Sequence, residues 1–402
     1  FLADDNHNVL KLILGDMNNT SENGERYEYS VKLFKRWIDK GYLIKDKKNC
    51  IYVYSQQFEQ DGETIDRTGF ISLVKIEEFG KNIYPHELTL SDTMINRRVL
   101  LEKTRSNVGL IFSLYNDNKC DIDDILEEAK NTTPEFDVYT DFEGVRHRLW
   151  VIDNEETIEK ITSHMKNTKV LIADGHHRYN TSLDYSNSKP DDELAKHVSM
   201  MFVNMKKDGL VIVPTHRLVK NVVKFDKDNL LKKIENDFTV EKIKFNDSNH
   251  KEKTREMKRM MKENGKHSFG MYVGNNTLYI LTLKNERSLE KQNHCSKEWC
   301  NFDINILHSF IIDKLLDIDI KNPEDQGKID YFKDIHDFAH RCVEKVNRDD
   351  FQIAFFVNPP DMETIQKLSE NGEIVPQKST CFYPKVYSGV VIYKFENGED
   401  NF

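Results

Sequence analysis

Apolar and polar residues follow one another along this chain in short runs that predict strands and helices in mixed order. Alternation at 51–58 and again at 69–76, with a DGETIDR turn between them, predicts a β-hairpin. Apolar runs predict further strands at 108–115, 146–152, 170–173, 198–205, 210–213, 351–358 and 389–393. Apolar residues at helical spacing predict helices at 27–41, 91–105, 121–130, 155–167, 304–316 and 362–369. We therefore expect an α/β (mixed α+β) fold built on a mixed sheet.

A change of composition predicts two domains. From about Asn221 to 268 the chain is rich in Lys, Asn, Asp and Glu, and 270–284 then predicts a second hairpin. We expect a motif-bearing α/β domain at 1–220 and an α+β subdomain at 221–402. Its tail, 374–393, is expected to return to the cleft of the first domain.

The length and charge of the chain limit the classes of function. A chain of 402 residues with 38% hydrophobic content has ample core, and a net charge of −10 with pI near 5.8 disfavours nucleic acid and anionic membranes as partners. The chain has no run of eighteen apolar residues, and acidic residues stand near its beginning where a signal peptide has basic ones. With six scattered cysteines, these features predict a cytoplasmic protein.

In one stretch, KVLIADGHHRYNTSLDY at 169–185, the pattern changes from that of a strand to that of a helix at a single glycine. An apolar strand at 170–173 meets Asp174-Gly175, and Tyr179, Leu183 and Tyr185 then predict one face of a helix. Thr181, Ser182 and Asp184 stand between them, so the pattern predicts an amphipathic helix. A mixed sheet of this kind places ligands at the carboxyl ends of its strands, where this turn lies.

His176, His177 and Arg178 fall in the first turn of that helix, where backbone N–H groups lack partners and the dipole is positive. With Gly175, they predict a cradle for a phosphate. Asp174 is suited to hold Mg²⁺ or to take the proton of a substrate hydroxyl, and we expect catalytic roles for Asp174, His176 and His177. The alternative is structural: the histidines satisfy a strand-to-helix junction and Asp174 only caps the helix.

Four other polar groups are candidates for the same chemistry. His86 and Glu87 follow a proline, and Glu87 is the expected carboxylate partner of Asp174. Pro376 precedes four residues with side-chain donors, Gln377 to Thr380, in an apolar neighbourhood. A ligand explains such a run better than solvent does. We expect a catalytic role for Glu87 as well. The expected phosphate- or substrate-binding residues in these groups are His86, Arg97, Arg105, His216, Arg217, Gln377, Lys378, Ser379 and Thr380.

Several other classes of site are disfavoured. The chain has no glycine-rich phosphate loop, dinucleotide fingerprint, nucleophile elbow or protein-kinase signature set. The Lys-rich segment 251–266 carries Met257, Met260 and Met261 on one helical face, which favours a solvated amphipathic helix. His294 and Cys295 with Cys300 lack the second half of a zinc site, so we interpret them as structural.

The ADGHHRYNTSLDY element resembles the central signature of a prokaryotic family known as domain of unknown function 1015. YVYSQQFEQDGETIDRTGFISLVKIEEFG, YPHELTL, LLEKTRSNVGLIFSLY, PTHRLV and PQKSTCFYPKVYSGVVIY resemble its other blocks in the same order. The resemblance covers nearly the whole chain, and because it enters in mid-block, we expect the family's N-terminal segment to be missing here. The Asp-Gly-His-His-Arg element is also similar to that of ParB/sulfiredoxin-like proteins, which include free serine kinases.

This second resemblance implies a ParB/sulfiredoxin-like core and phosphoryl transfer between a nucleotide and a small hydroxy amino acid, as in a free serine kinase or its reverse acting on phosphoserine. It implies ATP or ADP as co-substrate, Mg²⁺ as cofactor, and a place in serine metabolism. A phosphoserine phosphatase is one alternative, with water as acceptor. A ParB-like nucleic-acid or regulatory binding protein is the other, and the net charge of −10 disfavours it.

Overall fold

The computed structural model describes residues 7–17, 25–60, 62–87, 92–141, 143–285 and 296–395. Over these residues the α-helices are α1 (Leu10–Leu14), α2 (Arg26–Asp39), α3 (Asp92–Thr104), α4 (Asp121–Ala129), α5 (Glu155–Met165), α6 (His176–Ser188), α7 (Lys227–Asp237), α8 (His250–Glu263), α9 (Lys297–Cys300), α10 (Asp303–Leu307), α11 (Asp313–Leu316), α12 (Pro323–Gln326), α13 (His340–Asn347) and α14 (Met362–Glu370). The strands are β1 (Ile51–Gln60), β2 (Glu63–Lys75), β3 (Ile83–Tyr84), β4 (Ser106–Asn107), β5 (Ile111–Tyr115), β6 (Phe136–Thr140), β7 (Val145–Ile152), β8 (Val170–Asp174), β9 (His197–Asn204), β10 (Val211–Ile212), β11 (Thr215–Val219), β12 (Phe238–Lys244), β13 (Ser268–Tyr272), β14 (Thr277–Leu283), β15 (Ile329–Lys333), β16 (Ile353–Phe356), β17 (Phe382–Tyr383) and β18 (Tyr393–Lys394).

The chain divides into two units. The first contains Phe1–Pro85, Thr89–Leu210 and Pro384–Phe402, and the second contains His86–Leu88 and Val211–Tyr383. The chain passes into the second unit after Leu210, earlier than the boundary at 220 that composition suggested, because β11 pairs with β15 and β16. The last part of the tail, from Pro384, belongs to the first unit.

The first unit is built on a mixed sheet. Among the described strands, eight form it in the order β3-β8-β5-β9-β2-β1-β7-β6. The pairs β3–β8 and β5–β9 are parallel and the others are antiparallel. The predicted hairpin at 51–76 is confirmed by β1 and β2, which pair Tyr52 with Ile71. The hydrophobic core of the first unit includes Val53, Ile111 and Ile172. Burying each such side chain contributes about 1.5–3 kcal/mol to the stability of the fold.

The second unit has its own sheet and core. Its described strands form a six-stranded antiparallel sheet in the order β12-β14-β13-β16-β11-β15. Alternate residues of β16 contribute to two hydrophobic clusters, Ile353 and Phe355 to one and Ala354 and Phe356 to the other, as the two faces of a buried strand require. The predicted mixed α+β class is confirmed.

Two predicted elements differ from the structure. The predicted helix at 304–316 is interrupted by a π-helical turn, His308–Ile312, between α10 and α11. The strand predicted at 389–393 is wrong, since only Tyr393 and Lys394 pair as a strand in this part of the chain. Gly389 has φ of 84°, a left-handed conformation typical of a turn, and its N–H donates to Val108 O at 2.9 Å.

Candidate functional site

The central motif forms the predicted strand, turn and helix. β8 ends at Asp174, Gly175 adopts φ of 97°, and α6 begins at His176. The first helical bond joins Tyr179 N–H to Gly175 O at 3.0 Å. This backbone path places Asp174, His176, His177 and Arg178 around the helix N-terminus, whose dipole favours anions.

α6 is held to the first unit by Tyr179. The buried Tyr179 hydroxyl donates to Glu77 O at 2.7 Å and accepts from Glu77 N–H at 3.0 Å. Thr181 and Ser182, the polar residues between the apolar positions of the predicted amphipathic pattern, are both buried. Thr181 satisfies its hydroxyl by donating to His177 O at 2.7 Å, so a polar side chain is accommodated inside.

Asp174 lies between two cations. Arg178 Nη2 donates to Asp174 Oδ2 at 2.9 Å, and Lys385 Nζ donates to Asp174 Oδ1 at 2.9 Å. Burial raises the pKa of the Asp174 carboxyl, but the charges of Lys385 and Arg178 outweigh it and hold that pKa below its usual range. Asp174 is therefore ionised at neutral pH and is a weak proton acceptor, which argues against a general-base role.

The Arg178 guanidinium lies against two glycines. A Cβ on Gly175 would be 2.9 Å from Arg178 Nε, and a Cβ on Gly109 would be 3.0 Å from Arg178 Nη1. Both distances are too short for an ordinary contact, so a side chain at either position would displace the guanidinium. The same Cβ position on Gly109 lies 3.1 Å from Ser388 Oγ, which places Ser388 beside Arg178.

Arg97 contributes a third positive charge. Desolvation and the Arg178 guanidinium lower the pKa of Arg97, while Asp174 raises it. Since Arg97 and Arg178 act on each other, both belong to one charge cluster around Asp174. Arg97, Arg178 and Lys385 bring three positive charges against one negative charge, which leaves a surplus of two. We call these four side chains the Asp174 cluster.

Buried polar groups position Lys385. Arg67, which is fully buried, donates to Gln56 Oε1 and to Pro384 O, and Gln56 Nε2 donates to Lys385 O at 2.9 Å. The Arg67 guanidinium also lies 4.8 Å from the centre of the Phe112 ring, and Phe112 pairs with Asp174 across β5 and β8. The sheet thus fixes the backbone of Lys385 as well as the carboxylate that its ammonium reaches.

Tyr387 makes a further attachment of the tail. Its ring stacks on His147 with centroids 4.3 Å apart, and its hydroxyl donates to Glu143 Oε2 at 2.7 Å. His147 Nδ1 is 2.7 Å from the hydroxyl of Tyr54. Burial, aided by the charge of Arg67, lowers the pKa of His147 to about 4, so this support is neutral at pH 7.

The Asp174 cluster does not fit the predicted magnesium ion. Mg²⁺ needs several oxygen ligands in a near-octahedral arrangement. Both oxygens of Asp174 already accept bonds from cations, and within the described residues no group of three or more His, Cys, Asp or Glu side chains is able to hold a metal. We therefore derive no step through a metal ion.

A second group of predicted residues comes together in the second unit. Glu87 accepts from Lys378 N–H at 3.3 Å and, through Oε1, from Thr380 N–H at 3.0 Å and Thr380 Oγ at 2.9 Å. His86 Nε2 is 2.8 Å from Thr380 Oγ, and Ser379 Oγ donates to Pro376 O at 2.6 Å. These bonds tie the segment 376–380 to residues 86–87, and the Lys378 side chain is exposed. We call these residues, with Arg217, the Glu87 cluster.

Arg217 is buried within this unit. It lies inside β11 rather than at a strand end, donates to Thr215 O and to Lys378 O, and its guanidinium is 5.6 Å from the Tyr331 ring centre. Burial raises the pKa of Tyr331, while the Arg217 charge and the Gln377 side chain act in the opposite direction. Desolvation lowers the pKa of Arg217 to about 10, which leaves it charged at neutral pH.

His216 and Arg105 pair with other carboxylates. His216 is 3.5 Å from the Asp334 carboxylate and accepts from Val357 N–H at 3.3 Å. Arg105 pairs with Asp192 at 3.0 Å. For both residues, and for catalytic roles of His176, His177 and Glu87, the sequence-based assignment stays a prediction.

Sequence analysis missed Lys385, Ser388, Gly109, Arg67 and Gln56. The signal was present for the first two, because KVYSG continues the block PQKSTCFYPKVYSGVVIY from which only Gln377 to Thr380 were chosen. Gln56 stands on a predicted strand, and Arg67 is the last residue of the predicted DGETIDR turn, of which residues 63–67 belong to β2 in the structure. Neither place carries a local signal for a buried polar side chain.

Two other predictions remain to be placed. The amphipathic helix within 251–266 is confirmed as α8, with Met257 and Met261 buried. His294 and Cys295 lie outside the described residues, while Cys300 is buried. In the part of the chain that the structure describes, no helix has the length and apolar character needed to cross a membrane.

A family model described as a protein of unknown function, DUF1015, matches residues 1–305. The chain belongs to the DUF1015 family. Curated proteins give no significant match. DUF1015 is the family that the sequence blocks had indicated, and that prediction is confirmed.

Solved structures resemble the protein distantly. A free serine kinase mutant in complex with AMP has a TM-score of 0.38 at 12% identity, covering 78% of this chain and 87% of its own. A truncated SbnI from Staphylococcus aureus has a TM-score of 0.36 at 11% identity, covering 78% and 85%. A conserved hypothetical protein from Pyrococcus furiosus has 0.36 at 10%, covering 79% and 93%. Likeness at this level supports no inference about the activity of this protein.

Proposed function

We propose that this protein transfers a phosphoryl group between ATP or ADP and a small hydroxy amino acid, with L-serine or phosphoserine as the leading substrate. The observation that carries the proposal is the surplus of positive charge around Asp174 at the N-terminus of α6. Phosphoryl transfer needs positioning and charge neutralisation more than covalent chemistry, and this cluster offers both.

The cluster suits a phosphate in three ways. The side chains of Arg178 and Lys385 are 24% and 36% exposed, so a ligand can reach their remaining donors. The positive end of the dipole of α6 lies at the same place and also favours an anion. Asp174 takes one donor from each cation and thereby fixes both in place, which makes it a positioning residue in this proposal.

The reaction balances without a covalent enzyme intermediate. The bond from phosphorus to the bridging oxygen of the nucleotide breaks, a bond from phosphorus to serine Oγ forms, and the hydroxyl proton passes to a base. We assign the base role to His177, which is half-buried in the first turn of α6. The cations stabilise charge on the transferring group and contribute most when water is excluded.

The amino acid substrate rests on the motif. The Asp-Gly-His-His-Arg element of residues 174–178 is similar to the corresponding element of free serine kinases, and serine is small enough to present its hydroxyl beside a bound phosphate. The geometry of the Asp174 cluster fits the phosphate of either substrate and does not by itself select the amino acid.

The test is phosphorus NMR of the purified protein with L-serine and ATP or ADP in the presence of Mg²⁺, and separately with phosphoserine alone. We expect nucleotide-dependent formation of phosphoserine, and loss of about 100-fold or more in rate for Arg178→Met. Arg146→Met is the matched control, because Arg146 forms an Arg–Asp pair with Asp137 in the same unit. Release of phosphate from phosphoserine without nucleotide would instead indicate a phosphatase. Equal losses in both variants, or no transfer with either nucleotide, would refute the proposal.

A further inference from the structure

The first unit contains a cavity beside the tail. Its volume is about 320 Å³, within the range of small-molecule sites. Its wall is apolar and aromatic. It is formed by residues 7–9, by the end of α2 with the residues that follow it, and by the tail. Lining residues include His7, Val9, Trp37, Tyr42, Gly389 and Ile392.

Three rings line this cavity in a fixed arrangement. The rings of His7 and Tyr42 meet edge to face with centroids 4.2 Å apart, and His7 lies 6.2 Å from Trp37. Trp37 is buried in a hydrophobic cluster that includes Leu33 and Phe34 of α2, while Tyr42 is 57% exposed. Tyr42 N–H donates to Trp37 O at 2.9 Å, which ties the backbone of Tyr42 to the end of α2. Such a wall offers faces on which a planar heteroaromatic ring stacks.

The tail connects the cavity to the Asp174 cluster. Gly389 lines the cavity, and a Cβ on it would be 2.6 Å from Val9 Cγ2. The preceding residue, Ser388, has its Oγ 3.1 Å from the Gly109 Cβ position, which is itself 3.0 Å from Arg178 Nη1. Ser388 Oγ and Arg178 Nη1 therefore lie within roughly 6 Å of each other. Lys385 is four residues from Gly389, a span of at most ~14 Å.

We propose that the cavity binds the base of the nucleotide whose phosphates are held by Arg178 and Lys385. This inference rests on the proposed function and adds a second subsite to it. An aromatic, largely uncharged cavity suits a nucleobase, and a cationic helix N-terminus beside the same tail suits its phosphates. The ribose would lie between them, along Ser388 and Gly389.

The experiment compares ADP with inorganic pyrophosphate by calorimetry at fixed ionic strength. Pyrophosphate has no base, so it reports the cation cluster alone. We expect the parent to bind ADP about 5- to 150-fold more tightly than pyrophosphate, the usual range for stacking one base. Tyr42→Ala should lose most of this difference and keep the affinity for pyrophosphate. Tyr42→Phe, which retains the ring, should bind ADP as the parent does.

Tyr29→Ala is the matched control. Tyr29 is a 41% exposed tyrosine on α2 that does not line the cavity, so its removal should leave both affinities unchanged. Equal affinities of the parent for ADP and pyrophosphate would overturn the base site and leave the phosphate cluster standing. Equal effects of Tyr42→Ala and Tyr29→Ala on ADP binding would overturn it as well. Binding of neither ligand by the parent would refute the proposed function and this inference together.

Discussion

Two His-Arg pairs, one in each unit, have very different surroundings. Arg178 follows His177 in the first turn of a helix, is 24% exposed, and shares one carboxylate with Lys385. Arg217 follows His216 inside a strand, has no exposed surface, and donates to two backbone carbonyl oxygens. The same dipeptide therefore has two different environments, which its exposure and its partners distinguish.

The two environments differ in how far the neighbouring groups take up the charge of the arginine. In the Glu87 cluster, Glu87 accepts three hydrogen bonds and so holds residues 378 and 380 in place. In the Asp174 cluster positive charge exceeds negative charge at a half-buried helix end. A buried charge that lost its partners would destabilise the fold, whereas a surplus charge at the surface is available for binding.

The largest expected effect tests the surplus charge. Lys385→Met removes one cation from the Asp174 cluster, and we expect turnover to fall about 100- to 1,000-fold, as for loss of one oriented donor to a transition state. The measurement is the rate of nucleotide-dependent serine phosphorylation. Lys48→Met, which removes the lysine of a Lys–Asp pair with Asp153, is the control. A larger loss in Lys378→Met than in Lys385→Met would reverse the comparison between the clusters.

A second pair of variants separates stability from binding. Arg217→Ala leaves a buried cavity, and it removes the donor to two backbone carbonyl groups. We therefore expect it to lower the free energy of unfolding by about 2–4 kcal/mol. Arg178→Ala removes a partly exposed ion pair and should cost no more than about 1 kcal/mol while phosphate binding is lost. Urea unfolding and calorimetry measure the two quantities. If Arg217→Ala unfolds like the parent, the structural assignment of Arg217 is wrong.

The sequence predicted the centre of the candidate site because its determinants are local. Four apolar residues, Asp174-Gly175 and a helical pattern lie within one short stretch, and all three elements formed as expected. Lys385 was missed because it stands 211 residues from Asp174, and its place depends on how Arg67 and Gln56 bind the tail. Lys378 was chosen from the same tail because its polar neighbours are contiguous, although they bond to Glu87.

A third prediction concerns the stacking of His147 on Tyr387, two residues after Lys385. Burial lowers the pKa of His147 from 6.5 to about 4, so the unfolded chain takes up a proton first as pH falls. Stability is therefore complete above about pH 6.5 and is lost progressively toward pH 4, by about 1–3 kcal/mol. His147→Phe keeps a ring against Tyr387 but cannot be protonated, so it should lack this part of the loss. Urea midpoints at pH 7 and pH 5 measure it, and identical pH slopes in both proteins would contradict the prediction.

The smallest expected effect tests the role of Asp174 itself. As a general base, Asp174 would contribute about 100- to 10,000-fold to the rate, and Asp174→Asn would lose that factor. Because Arg178 and Lys385 hold its pKa below the usual range, we assign it a positioning role instead. The amide oxygen of Asn still accepts from one cation, so we expect a loss of less than about tenfold in turnover, with the acid limb of the pH-rate profile unchanged.

The same variant has a pH signature in stability. A carboxyl whose folded pKa is depressed stabilises the folded state above its unfolded value, near 3.8, and this contribution is lost as pH falls through the folded pKa. At pH 7 the parent should exceed Asp174→Asn by no more than about 1 kcal/mol, because the Asp174 side chain is 38% exposed and solvent screens the pair. Urea unfolding should show this difference shrinking as the pH is lowered below about 4. A loss of more than 100-fold in turnover, together with a vanished acid limb, would return Asp174 to the role of base and imply that a bound substrate draws Arg178 and Lys385 away from it.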